Sequence, residues 1–359
     1  MLGGMPSTHG SDDTQRRVWR ISKAGSLGRL GLCTETLPPP AALEVQVEVE
    51  AIGVNFADVF ACLGLYSATP RGSFVPGLEC AGRIRRLGTA VTGWQIGDPV
   101  IVLTRFGGYA THLNADVRTL WPVPPGWSLA EAAAYPVQAL TAWYGLRPLG
   151  NAGAGSVVLV QSAAGGVGLN AMQALRTLGA RPVAVVGSAA KRDWLAERYA
   201  LDPATVLVRN RAPGKDFDAV LAHLDAPGFD VVLDAVYGPG FRSAFDRLAP
   251  EGRYVLYGAA DFMSSGKRPN FLALAWRYLR RPRLDPLAMI PQNRGLLAFN
   301  LIWLWEQAAR LPQSLRETFA LIPDRPHIGA SYEFSAAPAA LDAIQSGTTT
   351  GKLVLHCTP

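Results

Sequence analysis

The stretch from Ser156 to Lys191, SVVLVQSAAGGVGLNAMQALRTLGARPVAVVGSAAK, constrains the fold of this chain more than any other. Val157 to Val160 is an unbroken run of β-branched and aliphatic residues without polar alternation, as a strand covered by helices on both faces requires, so it predicts a parallel sheet. Ala163-Ala164-Gly165-Gly166-Val167-Gly168 follows directly. Val167, Met172, Leu175 and Leu178 then recur at helical spacing up to Gly179, a suitable left-handed residue beyond a helix end. Pro182 to Val186 reads as a second strand. Strand, glycine turn, helix and strand in this order predict a Rossmann dinucleotide-binding unit.

The turn carries its own chemistry. Gly165 allows the backbone to approach a pyrophosphate, Gly168 allows the helix to pack against the strand, and the anion sits on unpaired amides at the helix N-terminus. The first glycine of the usual fingerprint is Ala163, so the order of elements carries more weight than the pattern. An NAD site calls for a carboxylate about 20 residues beyond the glycines, and the tip of the second strand has none. It has Ser188, Lys191 and Arg192 instead, a hydroxyl donor and two charges suited to a 2′-phosphate. The plainer alternative is that Lys191 and Arg192 solvate the start of the next helix.

At 359 residues the chain is long enough for two domains, each with its own core. Hydrophobic residues make up 49% and charged ones 17%, with no apolar run long enough for a bilayer, which predicts a soluble globular protein. The longest apolar run, Leu296 to Trp305, is interrupted by Asn300 and predicts a buried helix or a pocket wall. A net charge of +6 favours anionic ligands and specifies no nucleic-acid role. Lys267, Arg268, Arg277, Arg280, Arg281 and Arg283 form the one dense basic cluster, read as a solvated helix face with a membrane or partner surface as the alternative. Cysteines at 33, 62, 80 and 357 have the spacing of neither a zinc lobe nor a disulfide framework. The first fifteen residues are polar and glycine-rich, predicting disorder, and show no signal sequence, from which a cytoplasmic location is expected.

Taken in order, residues from about Arg16 to Pro125 are rich in strands and turns. Val45, Val47, Val49 and Ala51 alternate with Glu44, Gln46, Glu48 and Glu50, the period of a half-buried strand. Leu78 to Leu87, Pro99 to Thr104 and Tyr109 to Asn114 are further strand candidates, and Asn55 is a good N-cap for a short helix. Ser128 and Glu131 form a capping box that opens a helical stretch broken or kinked at Pro136, joining the two halves. Thr205 to Val208, Phe229 to Asp234 and Arg253 to Tyr257 extend the parallel sheet, and Lys352 to Leu355 is a terminal strand expected to return to the first domain. Tyr237, Tyr257 and Trp303 read by default as core aromatics.

Taken together, several motifs resemble the medium-chain dehydrogenase/reductase superfamily, in its zinc-independent quinone oxidoreductase branch. They are Gly53-Val-Asn55-Phe-Ala-Asp58, Pro76-Gly-Leu-Glu79-Cys-Ala-Gly82, Gly97-Asp98-Pro-Val100, Tyr135-Pro-Val-Gln-Ala-Leu-Thr141-Ala, Ala163 to Gly168 and Gly351-Lys352. Asn270 to Pro286 and Asn293 to Leu301 are similar to the subgroup named for the synaptic vesicle membrane protein VAT-1. The resemblance runs from about residue 16 to 357 and implies an α/β protein. Residues 16–137 would form a GroES-like catalytic domain, 138–305 a Rossmann domain binding NADPH, and 306–359 the return to the first. Zinc members carry a cysteine where Asn55 stands and a histidine where Leu78 stands, so no metal is expected.

By the same resemblance, Asn55 and Tyr66 face the nicotinamide and are the catalytic candidates, orienting the acceptor and bonding its developing oxyanion. Thr141 meets the ring or ribose, Ala164, Gly165, Gly166 and Val167 hold the pyrophosphate, and Ser188 and Lys191 hold the 2′-phosphate. Tyr257, Gly258 and Lys352 complete the cofactor set. Asn210 replaces a tyrosine near the adenosine, a loss that Arg209 and Arg211 can offset electrostatically. Bland readings stand beside these: Asn55 as a helix cap and Tyr66 as cleft lining. The implied activity is hydride transfer from NADPH to a quinone or an α,β-unsaturated carbonyl, with no nucleic-acid partner and a homodimeric state. The alternatives are an enoyl-thioester reductase, or a VAT-1-like nucleotide-binding protein that associates with lipid or a partner. His112, His223, His327 and His356 do not fall in these motifs as a general acid.

Overall fold

A computed structural model gives the structure of the protein over residues 13–209, 217–222, 224, 228–263 and 266–357. Asn210, Arg211, His223 and most of the N-terminal polar stretch lie outside the described residues. Six parallel strands form one sheet, in the spatial order Val206–Val208, Arg181–Val186, Val157–Gln161, Phe229–Asp234, Leu248–Leu256 and Gly295–Ala298. Every residue of Val157–Gln161 is buried. Alternation along this strand serves two cores: Val158 and Val160 pack with Leu169, Met172 and Leu175, and Val157 and Leu159 with Phe241 and Phe245. The helix Gly166–Leu178 ends at Gly179 with φ 67°, the left-handed position expected of it.

The strand Leu248–Leu256 is interior to this sheet. Gly295–Ala298 pairs alongside it, Arg253 opposite Gly295 and Leu256 opposite Ala298, and takes the edge. The run Leu296 to Trp305 is therefore not one helix. It is this edge strand followed by a 3₁₀ segment, Leu301–Arg310.

A second sheet of seven strands is built from Glu44–Val54, Glu79–Leu87, Pro99–Leu103, His112–Asp116 and Leu120–Pro122, joined by Ile328–Glu333 and Lys352–His356. The last strand pairs antiparallel with Glu44–Val54, Leu353 opposite Val54, so the end of the chain lies against the domain where it began. The strand expected from Tyr109 begins at His112 instead. Tyr109 sits in a turn with its ring fully buried, packed so closely that a Cβ on Gly77 would lie 2.6 Å from it.

Between the sheets, the Ser128 and Glu131 capping box opens the short helix Leu129–Ala134. Pro136 has no N–H to continue that helix and instead starts a second, Pro136–Tyr144, which runs across the expected boundary at 137/138 and packs on Gly166–Leu178. This helix carries Gln138 and Thr141 to the place where the two sheets meet.

A cleft between the two sheets

One cleft of about 1640 Å³ runs between the domains. At its Rossmann end Ser162 adopts φ 57°, unusual for a residue with a side chain, and accepts a hydrogen bond from the Gly165 amide at 2.9 Å. That turn brings the chain round into Gly166–Leu178. Gly168 permits the close approach, since a Cβ there would lie 2.5 Å from the Ala163 Cα. The first-turn amides from Gly166 to Gly168 have no intrahelical acceptor and lie at the cleft, where a helix N-terminus favours an anion, with Ala164, Gly165 and Val167 along the same wall. Further along, Ser188 caps the helix Ala189–Tyr199, accepting from the Lys191 amide at 3.3 Å. The Lys191 ammonium donates to the Gly347 and Thr349 carbonyls at 3.0 and 2.7 Å, which anchors it at the cleft wall. Arg209 lines the cleft beside them, whereas Arg192 turns to Asp193 at 2.8 Å and does not. Unpaired amides, a serine hydroxyl and two cations along one wall fit a dinucleotide bearing a 2′-phosphate.

The other end is organised by a buried polar hub. Glu79, fully buried, accepts through Oε1 from Asn55 Nδ2 at 2.8 Å and from Lys352 Nζ, and through Oε2 from the Val137 amide at 2.7 Å. Lys352 also donates to Asn55 Oδ1 at 2.8 Å. The terminal strand, the strand from Glu79, the Asn55 cap and the helix from Pro136 are thus tied at one carboxylate. Lys352 does not line the cleft: its side chain is 1% exposed and its ammonium is turned into the hub. Asn55 lines the cleft, but its Nδ2 hydrogens are engaged by Glu79 and by the Gly53 carbonyl at 3.3 Å, so it has no free donor for an oxyanion. The cap reading of Asn55 and its place in the cleft coexist, because Asp58 Oδ2 accepts from the Asn55 amide at 2.8 Å. Burial pushes the Asp58 carboxyl up to about 7, against the opposing pull of the Asn55 amide and Lys352.

Tyr66 and Thr141 line the same cleft. The Tyr66 hydroxyl donates to Asn300 Oδ1 at 2.7 Å, and burial pushes its pKa up to about 12, which keeps the group protonated and able to donate. Thr141 spends its hydroxyl hydrogen on the Val137 carbonyl at 2.6 Å and keeps its lone pairs for the cleft. Tyr257 and Gly258 line the same space, so Tyr257 is not simply a core ring. Phe56, Phe60, Leu65, Leu103, Leu301 and Trp305 form an apolar wall beside Tyr66. No histidine lines the cleft among the described residues, and among them no group of three His, Cys, Asp or Glu is placed to hold a metal ion.

The sequence reading did not assign Gln138, Thr104 or Asn300 to the site, although all three line it. Only Asn300 left a signal, as the polar interruption in the apolar run. Of the other default aromatics, Trp303 departs from expectation, 42% exposed under the Arg105 guanidinium, whereas Tyr237 packs edge-on against the core ring of Phe241, half-buried, with its hydroxyl donating to the Pro282 carbonyl at 3.0 Å. The basic cluster is not a polar face. The helix Phe271–Leu279 has no buried residue and exposes Phe271, Leu272, Trp276, Tyr278 and Leu279, with Arg280 and Arg281 just beyond its end, while Asn270, Leu274 and Arg277 line the cleft.

Residues 41–125 match the alcohol dehydrogenase GroES-like domain, and residues 204–355 match a family described as zinc-binding dehydrogenase. The chain is 31% identical to the synaptic vesicle membrane protein VAT-1 homolog of Danio rerio over 88% of its own length and 64% of that protein's. To the Homo sapiens VAT-1 homolog it is 30% identical over 89% of its own length and 80% of that protein's. Among solved structures, the quinone oxidoreductase of Thermus thermophilus, determined also as its complex with NADPH, covers 95% of this chain and 100% of its own at 28% identity and a TM-score of 0.71.

Proposed function

The chain belongs to the zinc-independent medium-chain dehydrogenase/reductase family, in its VAT-1-like, quinone oxidoreductase-type branch, and from that premise we propose that it is an NADPH-dependent reductase of quinones or α,β-unsaturated carbonyls. The observation that carries this reading is the cleft's division of labour. An anion cradle with Ser188, Lys191 and Arg209 lies at one end, and a protonated Tyr66 hydroxyl beside an apolar wall at the other. NADPH, when bound, supplies the hydride. Gly165 to Val167 hold its diphosphate, Ser188 and Lys191 its 2′-phosphate, and Thr141, Tyr257 and Gly258 face its nicotinamide end. Asn55, fixed by Glu79 and Lys352, shapes the floor at that end and keeps it neutral. An electron-poor acceptor against Phe56, Phe60 and Trp305 presents its oxygen to Tyr66, whose hydrogen turns from Asn300 to the charge that develops there. Neutral donors suffice for such acceptors, which need less polarisation than a simple ketone.

The test is NADPH oxidation measured with a panel of quinones, alkyl enones and enoyl thioesters. Turnover with the first two and little with thioesters supports the reading. Preference for thioesters moves the substrate to the acyl class, and no turnover with any of them overturns the enzyme reading.

A second reading, association with a lipid surface, is favoured by one observation, the bare apolar and basic face of Phe271–Leu279. Co-sedimentation with anionic vesicles, lost in a Leu272→Glu, Trp276→Glu variant, would support it. Equal recovery with and without vesicles would end it.

A further inference from the structure

The helix Pro136–Tyr144 lays Gln138 over the start of Gly166–Leu178. A Cβ built on Gly166 would fall 1.6 Å from Gln138 Oε1 and 2.4 Å from Nε2, so the carboxamide rests on the place where any other residue would carry a side chain. Gln138 is 8% exposed, lines the cleft, and its Oε1 has no hydrogen-bond partner. Its neighbours are satisfied: the Val137 amide is held by Glu79 and the Thr141 hydroxyl by the Val137 carbonyl. An unpartnered amide oxygen in a buried position is costly, and a leucine would fill the space without that cost. The glutamine therefore needs a partner that the protein alone does not supply.

We propose that Gln138 is a cofactor-binding residue whose carboxamide donates to the diphosphate of the dinucleotide, completing the cradle formed by the amides of Gly166 to Gly168. The inference rests on the dinucleotide reading of the cleft. The amide's terminal torsion is broad and roughly two-fold, so its oxygen and nitrogen exchange places by a half-turn at little cost, and an anion on the helix N-terminus selects the nitrogen. A neutral donor suits this position, because the Gly166 to Gly168 amides already favour negative charge.

Fluorescence titration of wild type, Gln138→Leu and Gln138→Glu with NADPH and with NADH tests this, together with the melting temperature of each without cofactor. Gln138→Leu should weaken both cofactors alike, by about tenfold, the loss expected for one hydrogen bond to a charged group. Its cofactor-free melting temperature should be unchanged or higher, a result that a purely structural glutamine would not give. Gln138→Glu should weaken both further, and salt should reduce the additional loss. Unchanged affinity in Gln138→Leu overturns the inference, as does a lower melting temperature with normal binding. Wild-type affinity in Gln138→Glu also overturns it, since a carboxylate beside the diphosphate would repel it. A wild type that binds neither cofactor overturns the dinucleotide reading and this inference with it, whereas failure of the variants alone leaves that reading standing.

Discussion

Asn55 and Tyr66 face the same cleft but have different capacities to donate. The Asn55 amide hydrogens are engaged by Glu79 and Gly53, while the Tyr66 hydroxyl holds only the exchangeable bond to Asn300. Tyr66→Phe should therefore lower kcat and kcat/KM together, by about 10²–10³ for the loss of one oxyanion donor, with NADPH affinity retained. Steady-state kinetics beside a binding titration check this, and a change confined to KM would assign Tyr66 to substrate positioning. Asn55→Ala should act first on stability, because it leaves Lys352 and Glu79 each short of a partner inside the protein. Asp58 gives a second prediction at this scale. Its carboxyl is raised by burial from 3.8 to about 7, so between those values the folded state keeps a proton that the unfolded chain has released. Stability from this group is present in full below about pH 4 and is lost as pH rises to about 7. Asp58→Asn preserves an acceptor for the Asn55 amide without the titration. Urea unfolding at pH 5 and pH 8 should show a fall in wild-type stability that the variant lacks, and parallel falls would remove Asp58 from the account.

At the scale of elements, we expect the strand tip Gly187-Ser188 and the helix it starts to set which dinucleotide is preferred. Lys191→Ala should cut NADPH affinity by about tenfold to a hundredfold and leave NADH affinity almost unchanged, as measured by titration of both. Equal losses for the two would mean that Lys191 only anchors the loop at Gly347 and Thr349. This unit was legible in the sequence because its determinants are local: the apolar run of Val157–Gln161, the glycines and the Gly179 cap all act within a few residues. The Asn55 and Ser128 caps were legible for the same reason. What was not legible depends on residues far apart in the chain. Lys352 meets Glu79 across 273 positions and Tyr66 meets Asn300 across 234, so no periodicity tells whether that lysine points into the cleft or away from it. Gln138 was hidden differently. It sits inside a recognisable motif, and only the folded chain shows that its carboxamide lies on Gly166 and that its Oε1 has no hydrogen-bond partner.

For the whole molecule, the open edge of the six-stranded sheet is the feature to account for. Among the described residues Gly295–Ala298 has a neighbour on one side only, Leu296 on it is 39% exposed, and the chain segment just before it exposes Leu287 and Ile290 along with the bare face of Phe271–Leu279. An unpaired strand flanked by apolar surface is a template for another strand. The simplest closed solution is a second copy related by a two-fold axis, which pairs edge with edge and covers both helices. We therefore expect a homodimer whose sheet continues across the axis through Gly295–Ala298, and light scattering should give twice the 38.3 kDa chain mass over a wide concentration range. Leu296→Glu places like charges close together across the axis and should shift the protein toward monomer, with the cleft still binding NADPH. The same surface cannot serve a dimer and a membrane at once. A wild type that is monomeric at every concentration and sediments with anionic vesicles would assign Phe271–Leu279 to the lipid reading, while a dimer that ignores vesicles would assign it to the protein's own copy.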